Sequence, residues 1–368
     1  MTVASASPLK VAVAGLGFGE KVHLPALRAC PGTEPVALWH PRTARLAAAC
    51  RSAELPGFSD FEALLADPGI EAMVIATPPA PRFELARAAL KAGKHLLLEK
   101  PVCLEAEQVL ELQRLAISAK LSVAVDFEYR AVPLFQQLKA LLRAGAIGDP
   151  WLVTMDWLMG SRADASRPWS WYSQRSEGGG VLGALGTHAF DILQWLVGPC
   201  TALSASLATA ISERPLPDGS GRRGRVDADD SALLGLDLEG KHGQRIPAQL
   251  ALSSVTRQGR GCWLELHGSE GALVLGSDNR SDYVHGFQLW QASGGGPLQL
   301  LAPDPSLAFA HTWVDGRIAP VARIHQAWSD SVREGRPMLP GLAEGYFSQR
   351  CCDRALIAAE TGERQKIA

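Results

Sequence analysis

The chain is predicted to fold as a doubly wound α/β domain followed by an α+β domain built on a large, mostly antiparallel, open sheet. Over residues 9–125, short apolar runs alternate with helical patterns, which is how a parallel sheet with crossover helices reads. From about residue 150, strand-like runs succeed one another with glycine and polar turns between them. The 368 residues exceed what one hydrophobic core usually serves, so two domains are expected, at 1–128 and 129–368.

Leu9–Ala14 is apolar and β-branched, as a buried strand requires. Pro35–Trp39, Ala72–Ala76, His95–Leu98 and Ser122–Val125 share that character, and helical patterns fill the gaps at Arg42–Arg51, Asp60–Ala66, Arg82–Ala92 and Glu105–Lys120. Asp60 stands where an N-cap is needed, with Ala63, Leu64 and Leu65 on the side to be buried. Pro133–Ala144 reads as one more helix, ending at Gly145. Strands then follow at Trp151–Met159, Ala202–Ile211, Ser231–Leu238, Gln249–Val255, Trp263–His267 and Ala272–Leu275. A helix at Leu185–Val197 interrupts them, and helices at Val321–Glu334 and Leu342–Thr361 close the chain. Pro215–Arg225, rich in Gly, Pro and Arg, reads as a mobile surface loop.

Composition narrows the function. With 47% hydrophobic and 20% charged residues, the chain is ordinary for a soluble globular protein. A net charge of -2 does not suggest a nucleic-acid partner, which would usually show a basic face. No run approaches the roughly 20 apolar residues that span a bilayer, and the N-terminus lacks a secretory pattern. The 7 cysteines lack metal-type spacing and fit reduced thiols in a cytoplasm, with Cys351 and Cys352 as packing residues. No metal is expected.

The first strand runs into Gly15-Leu-Gly-Phe-Gly19 and then a helix. Gly15 permits the sharp turn, Gly17 removes a side chain where a pyrophosphate approaches, and the helix start offers free N–H groups. This predicts a dinucleotide site that includes Gly15, Gly17, Phe18 and Gly19. The third glycine of the usual pattern is displaced: Gly19 comes one residue early and Glu20 occupies its place. At the end of the second strand, Trp39-His-Pro-Arg-Thr43 lacks the acid that would accept from a ribose 2′-hydroxyl. His40 and Arg42 are the candidates there. Arg42, with Arg45, suits a 2′-phosphate, so NADP(H) is favoured and NAD(H) is the alternative.

Two strand ends carry further motifs. Thr77-Pro78-Pro79 follows one, and Glu99-Lys100-Pro101 follows the next. Later comes Gly178-Gly-Gly-Val-Leu-Gly-Ala-Leu-Gly-Thr-His188-Ala-Phe-Asp191. In this order and spacing the chain resembles the Gfo/Idh/MocA oxidoreductases over nearly its whole length. Arg130 with Pro133, Gly145-Ala-Ile-Gly148 and Asp229-Asp230 fit as well. The resemblance implies an N-terminal Rossmann domain, a cofactor across the strand ends, and a sugar or polyol substrate between the domains. Thr77, Pro78, Pro79, Glu99 and Lys100 are then cofactor-binding candidates.

Lys100 leaves a strand at its carboxyl end, where such folds place ligands. It can donate to a substrate oxygen, and a cationic nicotinamide nearby eases loss of its proton. The sequence is compatible with a cis Lys100–Pro101 bond. His188 and Asp191, three residues apart on a helix, share a face. An imidazole titrates near neutrality and suits removal of a hydroxyl proton, and the resemblance implies that His188 is the acid/base. Asp191 is read as binding substrate hydroxyls or orienting the ring. Lys100, His188 and Asp191 are thus the catalytic candidates.

Two positions depart from the family. Where an Asp often stands four residues before the histidine, this chain has Ala184, and no relay through that carboxylate exists. Arg82 replaces a histidine after Thr-Pro-Pro, and that change is read as structural. The segment Trp169–Arg175 suits either a cleft border or an interface loop; Trp157 and Trp151 suit core or interface. The triple glycine suits either a close backbone approach or a hinge. The rival functions are a catalytically silent sensor of the same fold, like the fungal galactose-regulon repressor, and a reductase of non-sugar carbonyls or imines. The open sheet must be covered, and the family usually pairs through it, so a homodimer or homotetramer is expected.

Overall fold

The computed structural model describes residues 7–279 and 283–367. The chain forms two compact units, Met1–Ala131 with His311–Tyr346, and Val132–Ala310 with Phe347–Ala368.

In the first unit, β1 (Leu9–Ala14), β2 (Thr33–Trp39), β3 (Gly57–Phe58), β4 (Ala72–Ile75), β5 (His95–Leu98) and β6 (Val123–Val125) form a sheet in the order β3-β2-β1-β4-β5-β6. Every pairing is parallel. The order reverses between β1 and β4, and ligands of doubly wound sheets bind at such a point, beyond the carboxyl ends of the strands. Between the strands run α1 (Leu24–Ala29), α2 (Thr43–Ala53), α3 (Phe61–Ala66), α4 (Pro79–Lys91) and α5 (Ala106–Ala119). The Asp60 side chain accepts from the Glu62 N–H at 3.0 Å and caps α3 as expected. Helix α4 begins at Pro79, three residues before the expected Arg82. Proline suits a first helical position because its missing N–H would have no partner there.

The sheet buries both faces. On one, Met73, Ile75, Leu96 and Leu98 pack with Val109 and Leu112 of α5. On the other, Leu9, Val11, Leu27 and Leu38 pack with Ile324 and Trp328. The last two belong to a late helix, numbered below, that the sequence reading had placed in the second domain. Its apolar stripe completes the first core, and Trp328 is fully buried there. No spacing along the chain signals such a return.

In the second unit, α6 (Pro133–Arg143) precedes β7 (Pro150–Leu158), α7 (Thr187–Leu196) and β8 (Cys200–Ala208). Next come β9 (Glu213–Pro215), β10 (Arg223–Arg225), β11 (Ser231–Glu239), β12 (Arg245–Ser253), β13 (Gly261–Gly268) and β14 (Gly271–Ser277). The short α8 (Tyr283–Gly286), β15 (Gln288–Ser293) and β16 (Gln299–Leu300) follow. Helix α9 (Ile318–Glu334) is the one that returns to the first unit; α10 (Leu342–Thr361) begins there and ends in the second, before β17 (Gln365–Lys366). Among the described residues, nine strands form one sheet, β16-β15-β14-β13-β7-β12-β11-β8-β17, antiparallel except between β7 and β12.

Alternation orients this sheet. Val153, Met155 and Trp157 of β7 and Ala232, Leu234, Leu236 and Leu238 of β11 are buried, whereas Leu152 and Leu233 on the other face are exposed. That is the period of a sheet covered on one side. The Pro215–Arg225 stretch is not loop throughout: its ends pair as the β9–β10 ribbon. Asp218 orders the turn between them, accepting from the Ser220 N–H at 2.9 Å and pairing with Arg222 at 3.0 Å. Trp151, at the start of β7, is exposed, so of the two tryptophans only Trp157 is core. No helix among the described residues is long and apolar enough to cross a membrane.

Candidate active site

The glycine loop follows β1 directly. Gly15 has φ +105°, and a Cβ there would lie 2.6 Å from the Ala76 carbonyl oxygen, so only glycine fits. A Cβ on Gly17 would meet nothing within 4 Å, which leaves its exposed backbone approachable. The displaced third glycine keeps the packing role of the usual pattern. A Cβ on Gly19 would press within 3.0 Å of Val13 and 3.3 Å of Ala76. The chain absorbs the shifted spacing by winding Gly19–His23 as a wider π-type turn before α1. Phe18 lies edge-on to the His23 ring, centroids 5.3 Å apart.

At the end of β2, the His40 ring Nδ1 accepts from the Arg42 N–H at 3.0 Å, and burial, with the Arg45 and Arg42 charges, lowers the His40 pKa. Arg45 donates to the Leu16 carbonyl at 2.7 Å, so it braces the glycine loop. Arg42 is exposed at the start of α2. Thr77, just beyond β4, is buried, and its hydroxyl has no hydrogen-bond partner among the described residues. Gly17, Thr77 and the loop amides thus stand at the carboxyl ends of β1 and β4 with open space at Gly17 and a spare hydroxyl at Thr77.

Arg82 explains how the strand ends are held. Its buried guanidinium donates to the carbonyls of Thr77, Glu99 and Pro101. One rigid fork thereby ties the turn after β4 to the turn after β5. Burial lowers its pKa to about 10, which still leaves it charged at neutral pH. The Lys100–Pro101 peptide is cis.

Beneath Lys100 lies a buried cluster that the sequence reading missed. Glu99 points its carboxylate inward: Oε1 accepts from His23 Nε2 at 3.0 Å, and Oε2 accepts from the Lys100 N–H at 3.1 Å. Asp126 Oδ2 lies 3.6 Å from His23 Nε2, and His23 Nδ1 lies 3.1 Å from His325 Nε2 on α9. Burial, helped by His23, keeps His325 neutral, with its pKa well below the usual value. A His23 that donates from Nε2 therefore accepts at Nδ1 from His325, whose own Nδ1 has no hydrogen-bond partner among the described residues.

The cluster sorts its charges. Burial works to raise Glu99, but the hydrogen bond and charge of His23, with the charges of Lys100 and Arg82, outweigh it and bring Glu99 down to about 2. Burial, reinforced by Glu99 and Glu128, pushes Asp126 well up. Burial also pushes Glu128 up to about 7, Lys100 opposing and Glu99 assisting. His23, Glu99 and Asp126 bring three possible metal-ligand atoms within 4.8 Å of one another. Both nitrogens of His23 are already committed to Glu99 and His325, so hydrogen bonding closes the trio on itself.

In the second unit, His188 and Asp191 stand on the first turns of α7, both buried, with the Trp157 ring 6.1 Å from that of His188. The triple glycine before them is a close backbone approach. A Cβ on Gly179 would fall 2.3 Å from the Tyr172 carbonyl oxygen, and one on Gly180, at φ +104°, 2.4 Å from Asp229 Oδ1. Asp229 accepts from the Leu182 N–H at 2.7 Å and fixes the turn that leads to His188. Ala184 occupies the turn just before α7. In Trp169–Arg175, Trp169 Nε1 donates to the Arg225 carbonyl at 2.9 Å, and Arg162 stacks 3.3 Å over the Tyr172 ring.

Comparison with known proteins agrees with this fold. Residues 9–127 match the family model for an oxidoreductase family, NAD-binding Rossmann fold, and residues 139–367 its C-terminal alpha/beta domain. An uncharacterized oxidoreductase of Synechocystis is 44% identical over 346 residues, 94% of this chain and 92% of that one. Levoglucosan dehydrogenase of Pseudarthrobacter phenanthrenivorans is 30% identical over 317 residues, 78% of this chain and 77% of that one. A structure of levoglucosan dehydrogenase in complex with NADH and L-sorbose superposes with a TM-score of 0.86, at 26% identity, over 98% of this chain and 99% of that one.

The Arg82 fork gives a direct expectation. Arg82→Met strands three carbonyls, each worth about 1–3 kcal/mol when left buried and unpaired. Urea denaturation should therefore show a loss of at least about 3 kcal/mol, and a loss below about 1 kcal/mol would contradict the clamp.

Proposed function

The chain belongs to the Gfo/Idh/MocA oxidoreductases, and from that premise we propose that it transfers hydride between a nicotinamide cofactor and a sugar, cyclitol or related hydroxyl or carbonyl compound. The observation that carries this reading is the Lys100 turn, fixed at the carboxyl end of β5 by the Arg82 fork and the buried Glu99. A bound nicotinamide would supply the hydride acceptor or donor. The chain's own groups handle the proton and the orientation. Lys100 donates to the reacting oxygen, His188 takes or returns the hydroxyl proton, and Asp191 accepts from substrate hydroxyls. The relatives support a sugar-class substrate, since levoglucosan dehydrogenase has been solved with NADH and L-sorbose.

For the cofactor, Gly15, Gly17, Phe18 and Gly19 receive the pyrophosphate, and Thr77, Pro78, Pro79 and Glu99 shape the edge beyond β4 and β5. The preference for NADP(H) rests on Arg42 alone, because Arg45 is engaged with Leu16. The seven unpaired cysteines suit a reducing compartment, and we place the protein in the cytoplasm. Exposed Leu152 and Leu233 on the open face of the second sheet suit self-association as a dimer or tetramer.

Lys100→Met should reduce turnover by at least about 100-fold, the scale of general acid–base help. Absorbance at the nicotinamide band across a panel of sugars and polyols measures this, and a change of only a few-fold removes Lys100 from the chemistry. Silence across the panel with cofactor binding intact would instead mark a sensor. Direct titration should show NADP(H) binding more tightly than NAD(H), with Arg42→Ala abolishing the difference; tighter NAD(H) binding by the unaltered protein refutes the preference. Light scattering at micromolar concentration should report an oligomer, and a monomer there would rule out pairing through the sheet.

A further inference from the structure

The glycine loop and Lys100 stand at the carboxyl ends of the first sheet's strands, and the opposite end of the same sheet is also concave. A cavity of about 560 Å³ opens there, beside His95 and Val123, the first residues of β5 and β6. Every residue that lines it belongs to the first unit. Its size falls within the roughly 300–1,000 Å³ of small-molecule sites.

Its walls are apolar. Helix α5 supplies Ile117 and the chain after it Leu121; α9 supplies Val332, and the passage into α10 supplies Met338, Leu339 and Leu342. Met338 and Leu342 are buried in the cores on the two faces of the sheet, which fixes the floor. Ile117 and Leu339 keep 72% and 68% of their surface in water. Two large aliphatic side chains left wet beside one cavity are surface that an apolar occupant would cover.

The polar groups of the lining differ in what they have left to give. The His95 ring Nδ1 accepts from the Ser122 N–H at 3.0 Å. Burial lowers its pKa, the Arg333 charge assisting and Glu71 opposing. The neutral ring therefore carries its proton on Nε2, which has no acceptor among the described residues. Lys120, two residues before Ser122, caps α5 in the left-handed conformation, and its amine has no ion pair among the described residues. Arg336 is paired with Glu334, and Glu344, the one acid of the lining, accepts from the Gly341 N–H at 2.8 Å.

We propose that this cavity binds a monocarboxylate with an apolar body, of the medium-chain fatty-acid kind, its chain against Ile117, Leu339 and Leu342 and its carboxylate at Lys120 and His95. One ammonium and one neutral N–H match the single charge and two oxygens of a carboxylate. A phosphate would bring a second charge with no spare cation to meet it, and a neutral alcohol would leave Lys120 unused. The site is separate from hydride transfer, which is placed at the other end of the strands.

Isothermal titration calorimetry of the full-length protein with octanoate tests this. Octanoate should saturate one site per chain with a Kd of about 1 mM or tighter. 1-Octanol and acetate, each lacking one half of the ligand, should bind at least about 10-fold more weakly. Lys120→Gln should weaken octanoate about 10-fold, the scale of one charge-assisted hydrogen bond, and Lys120→Arg should restore most of the affinity. Leu339→Glu should abolish binding by setting a like charge at the mouth, whereas Lys241→Gln, exposed in the second unit, should change nothing. Lys120 and Leu339 are themselves exposed, so their replacement leaves the packing in place, and the comparison of octanoate with 1-octanol needs no variant. Absence of saturable octanoate binding, 1-octanol bound as tightly, or equal affinity in Lys120→Gln overturns the assignment.

Discussion

Almost no water reaches the space behind β5, yet the chain puts charge there. Glu99 and Asp126 face the same histidine nitrogen, and ionising both carboxyls at that separation would cost more than one imidazole returns. The cluster resolves this by favouring the charged form of Glu99 and the protonated form of Asp126. Glu99 can stay charged because His23 donates to one oxygen and the Lys100 backbone to the other. The same two bonds fix where the chain turns, so the siting of Lys100 follows from how a buried charge is satisfied. Arg82 fastens that turn from the other side through carbonyls, which leaves the carboxylate to His23.

Much of the first unit was legible because its signals are local. β1, β5 and the Asp60 cap stand where apolar runs and one well-placed acid put them. Helix α4 starts early because the sequence reading gave no weight to Pro78-Pro79 as a helix opening. The displaced glycine was legible as a departure but not in its remedy. A π-type turn is a choice of backbone winding, and the side chains that crowd Gly19 come from Val13 of β1 and from Ala76, just beyond β4.

The site was legible where one motif carries one role and hidden where a role is shared. Lys100, His188 and Asp191 were named from motifs that the family resemblance singles out. His23, Asp126, Glu128 and His325 were not, since each matters through partners far along the chain. One signal for Asp126 and Glu128 was present: they follow directly on a strand end, at the edge where such sheets bind ligands. Nothing comparable pointed to His325, which enters on a helix that returns to the first unit.

Ala184 stands on the turn before α7, in the second unit. Glu128 is buried and belongs to the same unit as Lys100. Its raised pKa also carries a stability consequence of opposite sign to that of Glu99. Because Glu128 holds its proton more tightly folded than unfolded, its contribution is present below the unfolded carboxylate range and fades as pH rises through about 7. The Glu99 contribution is present above that range and is lost as pH falls toward about 2. Above neutral pH the protein thus gives up some stability to keep an ionisable carboxyl buried at position 128.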